Sequence, residues 1–350
     1  MSTATNWWGN LDPTDDAWHP AAAGTFSEWW YFDARFDQGY ALSVAWQVQG
    51  DISKSESPNN PSVRATLFAP DAEPRHLAFD GAPADFEAAQ DTCDVRMGQS
   101  WLRGAPPRYE MHVVLEDLVA DLTLTSLTPA WKHWDWHIDD DKRGQKSLFA
   151  WTVAVPMGRV EGTLCLGDRT VPVIGQGYRD KCWMTGPIFG YFDRWYTGRL
   201  HADDVAIVYY VIPSRRRGAR GVDFLNAFAV FQGGRLAYEV RPETADLVQF
   251  VIVPDEEVQD PASRRVYPVR QTLEPPENPV IGPITLQADH VAVRRIPPPA
   301  DLNWLRRQVT KRVIRRATIK YLGSWEAKLL GGRRPRRVTG EAISEVIYLR

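Results

Sequence analysis

The chain lacks the features that mark most protein classes. Only three cysteines occur in 350 residues, Cys93, Cys165 and Cys182. Odd in number and widely spaced, they form neither a disulfide framework nor a zinc pattern, and a reduced, cytoplasmic setting is expected. No apolar run approaches the roughly 18 residues needed to span a bilayer, and no charged-then-apolar leader opens the chain. A net charge of −3 gives no global pull towards nucleic acid or anionic membrane, so no nucleic-acid partner is expected. No Gly-rich loop stands in strand–helix context, so neither NAD, a flavin nor a nucleotide is called for. Gly175-x-Gly177 lies between β segments, where glycine permits a tight turn. A convincing 3.6-residue period is scarce before residue 300.

Aromatics are abundant instead. Fifteen Trp stand beside 13 Phe and 12 Tyr, with clusters at Trp7-Trp8, Trp29-Trp30 and Trp131, Trp134 and Trp136. Aromatics favour strands and bury large areas, and the clusters are where π faces would wall a pocket for a long apolar ligand. Residues 1–24 read as an irregular arm pinned by its Trp. From Thr25 the pattern is short antiparallel strands: Tyr40–Val48 after the turn Asp37-Gln38-Gly39, Val63–Phe68, Leu77–Phe79, Tyr109–Leu115 and Leu118–Leu124. Ala82–Gln90 is a short helix or a loop. Phe149–Val155 and Val160–Leu166 follow as two strands separated by Met157-Gly158. Val205–Ile212, Leu225–Phe231, Val248–Val253 and Ser263–Tyr267 continue the series, with Ser214–Gly221 a basic loop, Asp255–Pro261 an acidic loop, and the prolines from Pro275 to Pro283 an irregular stretch. The fold class is all-β, and the length allows two domains.

Asp301–Leu330 is different in kind. Leu302, Leu305, Val309, Val313, Ala317, Tyr321 and Trp325 recur at three- and four-residue steps, which predicts a helix over 301–330 between an Asp301 N-cap and a Gly331-Gly332 stop. Trp304 to Arg337 holds twelve Lys or Arg against one acid, Glu326. Such a basic amphipathic helix is either a solvated face covering a β domain or a peripheral contact with an anionic membrane through 304–337. A closing strand is expected over 338–349.

The densest chemistry lies in Val171–Leu200, which holds Tyr178, Asp180, Trp183, Trp195 and Arg199. Asp180 sits in sequence between Arg179 and Lys181 and close to two aromatics. One reading makes it a Brønsted acid kept protonated by partial burial. The other makes it the cap of the Gly-Tyr turn, or the partner of Lys181 or Arg199. Trp183 and Trp195 are candidate pocket walls facing a cation or, equally, core residues. Tyr178 is a donor or relay, and Arg199 a neutralising partner. A second cluster is Trp134-Asp135-Trp136-His137, with Asp135 a rival acid. Its His and Asp spacing matches no standard metal set, so no metal is expected.

The ordered set Glu28-Trp29-Trp30-Tyr31-Phe32-Asp33, Gly175-x-Gly177-Tyr178-x-Asp180-x-x-Trp183, Trp195-x-x-Gly198-Arg199 and Gly340-x-Ala342-x-x-Glu345-Val346-x-Tyr348 resembles the AttH-like / carotenoid 1,2-hydratase (hydroxyneurosporene synthase) family. Fungal Diels-Alderases, kievitone hydratase and some non-canonical terpene cyclases are related to it. The resemblance runs from about Phe26 to Tyr348. It implies two consecutive lipocalin-like β-barrels or sandwiches, placed here at 25–180 and 181–350, acting on apolar polyenes or isoprenoids without metal or organic cofactor. It also implies that Glu28 with Trp29-Trp30 begins the first barrel strand, where a Trp commonly plugs the closed end of a lipocalin barrel; a substrate-binding role for Glu28 and Trp30 stays open beside that structural one, since Glu28 is expensive to bury unpaired. Three positions depart from the pattern: Met184 and Thr197 replace the family's Gly and second Trp, and Glu28 stands where carotenoid hydratases carry Ala.

Three activities fit these residues. The first is a cofactor-independent cyclase or hydratase that protonates a double bond of an extended isoprenoid or polyene. The second is a Diels-Alder-type pericyclase that relies on shape. The third is a non-catalytic carrier of lipids or isoprenoids.

Overall fold

The computed structural model describes residues 5–21, 24–51, 60–133, 135–140, 145–186, 194–213, 224–240, 251–261, 265–275, 277–295, 317–331 and 334–348. It divides into two compact units, Met1–Ile188 and Phe189–Arg350, each built on one antiparallel sheet. The all-β, lipocalin-like class expected from the sequence is the one observed.

In chain order the strands of the first unit are β1 (Thr25–Phe36), β2 (Ala41–Asp51), β3 (Asn60–Phe68), β4 (Arg75–Asp80), β5 (Phe86–Ala88), β6 (Cys93–Met97), β7 (Ser100–Ala105), β8 (Arg108–Leu115), β9 (Leu118–Ser126), β10 (Trp131–Lys132), β11 (Trp136–Asp140), β12 (Gln145–Leu166) and β13 (Arg169–Thr185). They are ordered β4-β3-β2-β1-β13-β12-β9-β8-β7-β6-β5, with β10 and β11 attached to β12. The core follows from period two. Phe26, Trp30, Phe32, Ala34 and Phe36 alternate along β1 and meet Leu42, Val44, Trp46 and Val48 of β2. Trp30 faces Trp46 in register, and each such ring removes roughly 150–250 Å² from water. The N-terminal arm is part of this core. Leu11 is buried in it and Trp8 and Trp18 pack against it, Trp18 meeting Phe26 edge-on at 5.8 Å and Phe86 at 5.2 Å. A short 3-10 turn, Pro13–Asp16, is capped by Asp12 and buries Asp15 and Asp16.

Several expectations about turns are corrected. Gly175 and Gly177 sit inside the unbroken strand β13, not in a turn. A Cβ at Gly175 would meet the Arg35 carbonyl oxygen at 1.9 Å, and one at Gly177 the Val160 side chain at 2.4 Å. The glycines allow close approach of neighbouring strands. Met157-Gly158 likewise separates nothing: β12 continues through it, with register shifts between Thr152 and Gly158 that mark bulges. The Trp131, Trp134 and Trp136 cluster brings two short strands, β10 and β11, and Ala82–Gln90 yields a 3-10 turn and the short strand β5.

The second unit contains β14 (Arg194–His201), β15 (Val205–Pro213), β16 (Phe224–Gln232), β17 (Arg235–Glu239), β18 (Val251–Gln259), β19 (Val266–Glu274), β20 (Ile281–Arg295), β21 (Ala317–Leu329) and β22 (Arg336–Tyr348). Their order is β17-β16-β15-β14-β22-β21-β20-β19-β18. The expected closing strand is β22, hydrogen-bonded to β14 and β21. The acidic stretch after Asp255 is strand through Gln259, and Pro283 lies within β20.

The predicted helix over 301–330 is not observed. Residues 301–316 lie outside the described part, and 317–329 form β21. Ala317, Ile319, Tyr321, Trp325, Ala327 and Leu329 are buried while Ser324, Glu326 and Lys328 are exposed. Tyr321 and Trp325 satisfy both a four-residue step and a two-residue step, and pairing to β20 and β22 on both sides selects the latter. The C-terminal half of the proposed membrane-facing helix is thereby removed. No helix among the described residues is long and apolar enough to cross a membrane.

Candidate functional site

Strand alternation divides β13 into two chemistries. Cross-strand partners share a face, and the register Trp183↔Glu28, Lys181↔Trp30, Arg179↔Phe32 puts Arg179, Lys181 and Trp183 on the core side. Tyr178, Asp180 and Cys182 take the other side with Asp33, Tyr31 and Trp29 opposite them. Asp180 is therefore separated from the two cations next to it in sequence.

On the core side the charges are paired under full burial. Arg179 Nη1 donates to Asp16 Oδ2 at 2.8 Å and Nη2 to Cys93 Sγ at 2.8 Å, while the Tyr109 hydroxyl also donates to Asp16 at 2.8 Å. The guanidinium lies 4.2 Å above the Tyr109 ring. Burial pushes the Cys93 thiol up to about 12, although Arg179 works against it. The Tyr109 hydroxyl is likewise raised, by burial and by Asp16. Lys181 Nζ stands 2.7 Å from Glu28, donates to the Ala17 carbonyl, and donates to His19 Nδ1 at 2.7 Å. Its ammonium is pulled below the usual lysine range by burial, with Glu28 opposing. Trp183 is stacked with His19 at 4.1 Å and has Lys181 4.6 Å from its ring centre. Trp183, Trp30 and Glu28, each with a structural and a substrate-binding reading in the sequence, are components of this ion-paired plug between arm and sheet. Leaving Glu28 without Lys181 would cost several kcal/mol.

On the opposite face Asp180, 3% exposed, is held by neutral donors. Its Oδ2 accepts from the Tyr178 hydroxyl at 2.7 Å and from Trp151 Nε1 at 3.1 Å. Tyr31 meets Tyr178 edge-on at 6.4 Å. Trp131 meets Trp151 edge-on at 5.5 Å, and its ring also touches His133, which stacks on Trp136 at 4.6 Å. Trp136 in turn tilts on Phe149 at 5.2 Å. A buried carboxyl at one end of a run of aromatic rings can hold a proton and deliver it to an apolar ligand, since burial disfavours its charge.

The other predicted residues fall elsewhere. Tyr178 contacts Asp180 directly. Trp195 and Arg199 lie on β14 in the second unit, both buried, Trp195 edge-on to Tyr210 at 5.7 Å. Trp134 lies outside the described residues. Trp136 joins the aromatic run, whereas Asp135 is 3.7 Å from Lys132 and His137 is exposed. Among the described residues no group of three or more His, Cys, Asp or Glu converges as a metal site would require. Trp151, Asp33, His133 and Asp16 were not singled out as site residues by the sequence. The only available signal was two-residue periodicity, which puts Asp33 and Tyr178 on one face once β1 and β13 are paired.

Comparison with solved structures sets this scaffold in context. An AttH-like protein from Nitrosomonas europaea superposes over 99% of both chains with a TM-score of 0.67 at 15% identity. The chain has the AttH-like fold. Kievitone hydratase from Nectria haematococca shares this AttH-like scaffold with a TM-score of 0.62 and 12% identity, over 99% of this chain and 96% of that one. CghA, solved with Sch210972, gives 0.59 and 14%, over 98% and 97%. In sequence, a hydroxyneurosporene dehydrogenase of Chlorobaculum tepidum is 26% identical over 234 residues. That match covers 57% of this chain and 60% of the relative's length. No family profile matches the chain. The resemblance read from short motifs thus extends to the whole β scaffold.

Proposed function

We propose that the protein is a cofactor-independent hydratase or cyclase acting on an extended hydrophobic isoprenoid or polyene, with Asp180 as its Brønsted acid. The observation that carries this reading is the placement of Asp180: buried, held by Tyr178 and Trp151, and facing away from Arg179 and Lys181, which are committed to Asp16 and Glu28. Tyr178 and Trp151 donate to Oδ2 and orient the carboxyl that carries the transferable proton. The π pair of a terminal trisubstituted alkene takes that proton, leaving a tertiary carbocation and the carboxylate. In hydration a water oxygen captures the cation and its proton returns to Asp180. In cyclisation the π pair of a second alkene forms the carbon–carbon bond, and the final cation loses a neighbouring C–H proton to water, from which the Asp180 carboxylate is reprotonated. The indole faces of Trp151 and Trp131 suit a desolvated cation, at roughly 2 kcal/mol or more each when in contact. The similarity to a hydroxyneurosporene-named relative and to a hydratase scaffold supports the substrate class.

The test is Asp180→Asn, assayed by mass spectrometry on acyclic polyenes and isoprenoids. The reading expects the wild type to yield a product heavier by one water, or an isomer of changed retention, and the variant to bind without turning over. Near-normal turnover in the variant would instead favour a pericyclase that acts by orientation alone.

A further inference from the structure

Asp180 is buried, so a proton that it gives to carbon needs a path back from bulk water. One level of the first sheet has the residues for it. On the face that carries Asp180, five residues of five adjacent strands stand directly opposite one another: His76 on β4, Thr66 on β3, Ser43 on β2, Asp33 on β1 and Tyr178 on β13. Hydrogen bonds close both ends of this row. His76 Nδ1 lies 3.2 Å from the Thr66 hydroxyl, and the Tyr178 hydroxyl donates to Asp180 Oδ2 at 2.7 Å. Between them, directly opposed residues have Cβ atoms about 4.5–5.5 Å apart. Hydroxyl and carboxyl groups span that spacing directly or through one water.

Burial and chemistry set this level apart. Thr66, Ser43, Asp33 and Tyr178 are buried, whereas His76 is exposed at the solvent end. Every side chain in the row, whether imidazole, hydroxyl, carboxyl or phenol, can both take and give a proton. The adjacent levels of the same face are interrupted. One runs through Ala78, Arg64, Ala45 and Tyr31, the other through Phe68, Ala41 and Arg35. Alanine has no proton to pass, and arginine does not release one. We infer that the row from His76 to Tyr178 is a proton relay connecting bulk water to Asp180. The relay rests on the reading of Asp180 as the acid. In one passage His76 takes a proton from water, and each neighbour accepts one proton on one side and releases one on the other. Tyr178 hands its own to the Asp180 carboxylate. One proton has then moved from water to Asp180, replacing the one that the final cation released to water, and no electron is transferred.

Infrared spectroscopy of the full chain without ligand tests this. The carbonyl stretch of protonated Asp180, assigned by its loss in Asp180→Asn, is followed after transfer from water to deuterium oxide. Ser43→Ala and Thr66→Val should slow its exchange by about tenfold, the loss of one hydrogen-bonded link. Thr66→Ser, which keeps the hydroxyl, should exchange like the wild type. Equal exchange in the wild type, Ser43→Ala and Thr66→Val overturns the relay and leaves Asp180 as the acid. Slowing that Thr66→Ser shares with Thr66→Val overturns it too, because packing rather than the hydroxyl is then responsible. A wild type without any band that Asp180→Asn removes has an ionised Asp180, which sinks the acid and the relay together.

Discussion

The two faces of β13 carry side chains from one short run, Tyr178 to Trp183, and do opposite work. Arg179, Lys181 and Trp183 point into the core and are fixed by Asp16, Glu28 and His19. Tyr178 and Asp180 point the other way and are joined by neutral hydrogen bonds. One face holds full charges in tight pairs, where low dielectric makes any broken pair costly. The other holds a carboxyl turned away from Arg179 and Lys181, with Tyr178 and Trp151 donating to it. The lesson is that an acid flanked by cations in sequence is insulated from them by the strand period.

Variants on each face should separate activity from stability. The largest effect is expected from Asp180→Asn, with turnover falling roughly 10²–10⁴-fold while the thermal midpoint stays near that of the wild type; a collapsed fold would merge the two faces. Arg179→Met should do the reverse, lowering stability by about 3–5 kcal/mol in urea titrations through the unpaired Asp16 it leaves. The double variant Arg179→Met/Asp16→Leu should recover much of that loss, and failure to recover would mean that packing around Tyr109, not charge, dominates. Tyr178→Phe is expected to lower kcat by roughly 10-fold, the worth of one neutral hydrogen bond, with KM unchanged. An equal rise in KM would make Tyr178 a binding residue rather than one that positions Asp180.

A smaller effect concerns pH. The Cys93 thiol is raised by burial to about 12 from an ordinary 9.0. A raised folded-state pKa contributes stability that is complete below the unfolded value and lost as pH rises through the folded one. The stability difference between wild type and Cys93→Ala should therefore shrink between pH 9 and 12, as read by denaturant melts across that range. A difference that grows would reverse the assigned direction.

Much of the scaffold was legible in the sequence because β8 and β9 alternate cleanly, β15 is an unbroken apolar run, and turn residues separate these strands. The resemblance motifs map onto β1, β13, β14 and β22. What escaped was anything that depended on pairing. Tyr321 and Trp325 fit a helical and an extended period alike, and only β20 and β22 decide between them. Gly175 and Gly177 have a turn composition, yet their cause is the Arg35 backbone packed against the first and the Val160 side chain against the second. Trp151 lies 29 residues from Asp180, and nothing local announces that the bulged β12 brings its indole onto the carboxyl. The arm's Asp16, 163 residues from Arg179, was equally invisible, since two acids in an irregular segment ordinarily face water.

The most direct test of Asp180 as a proton donor is to run the reaction in deuterium oxide and examine the product by mass spectrometry and NMR. Proton delivery from a solvent-equilibrated carboxyl predicts one deuterium bound to carbon at the former alkene terminus, present with the wild type and absent with Asp180→Asn. A product free of carbon-bound deuterium, formed at the same rate by both proteins, would contradict the account.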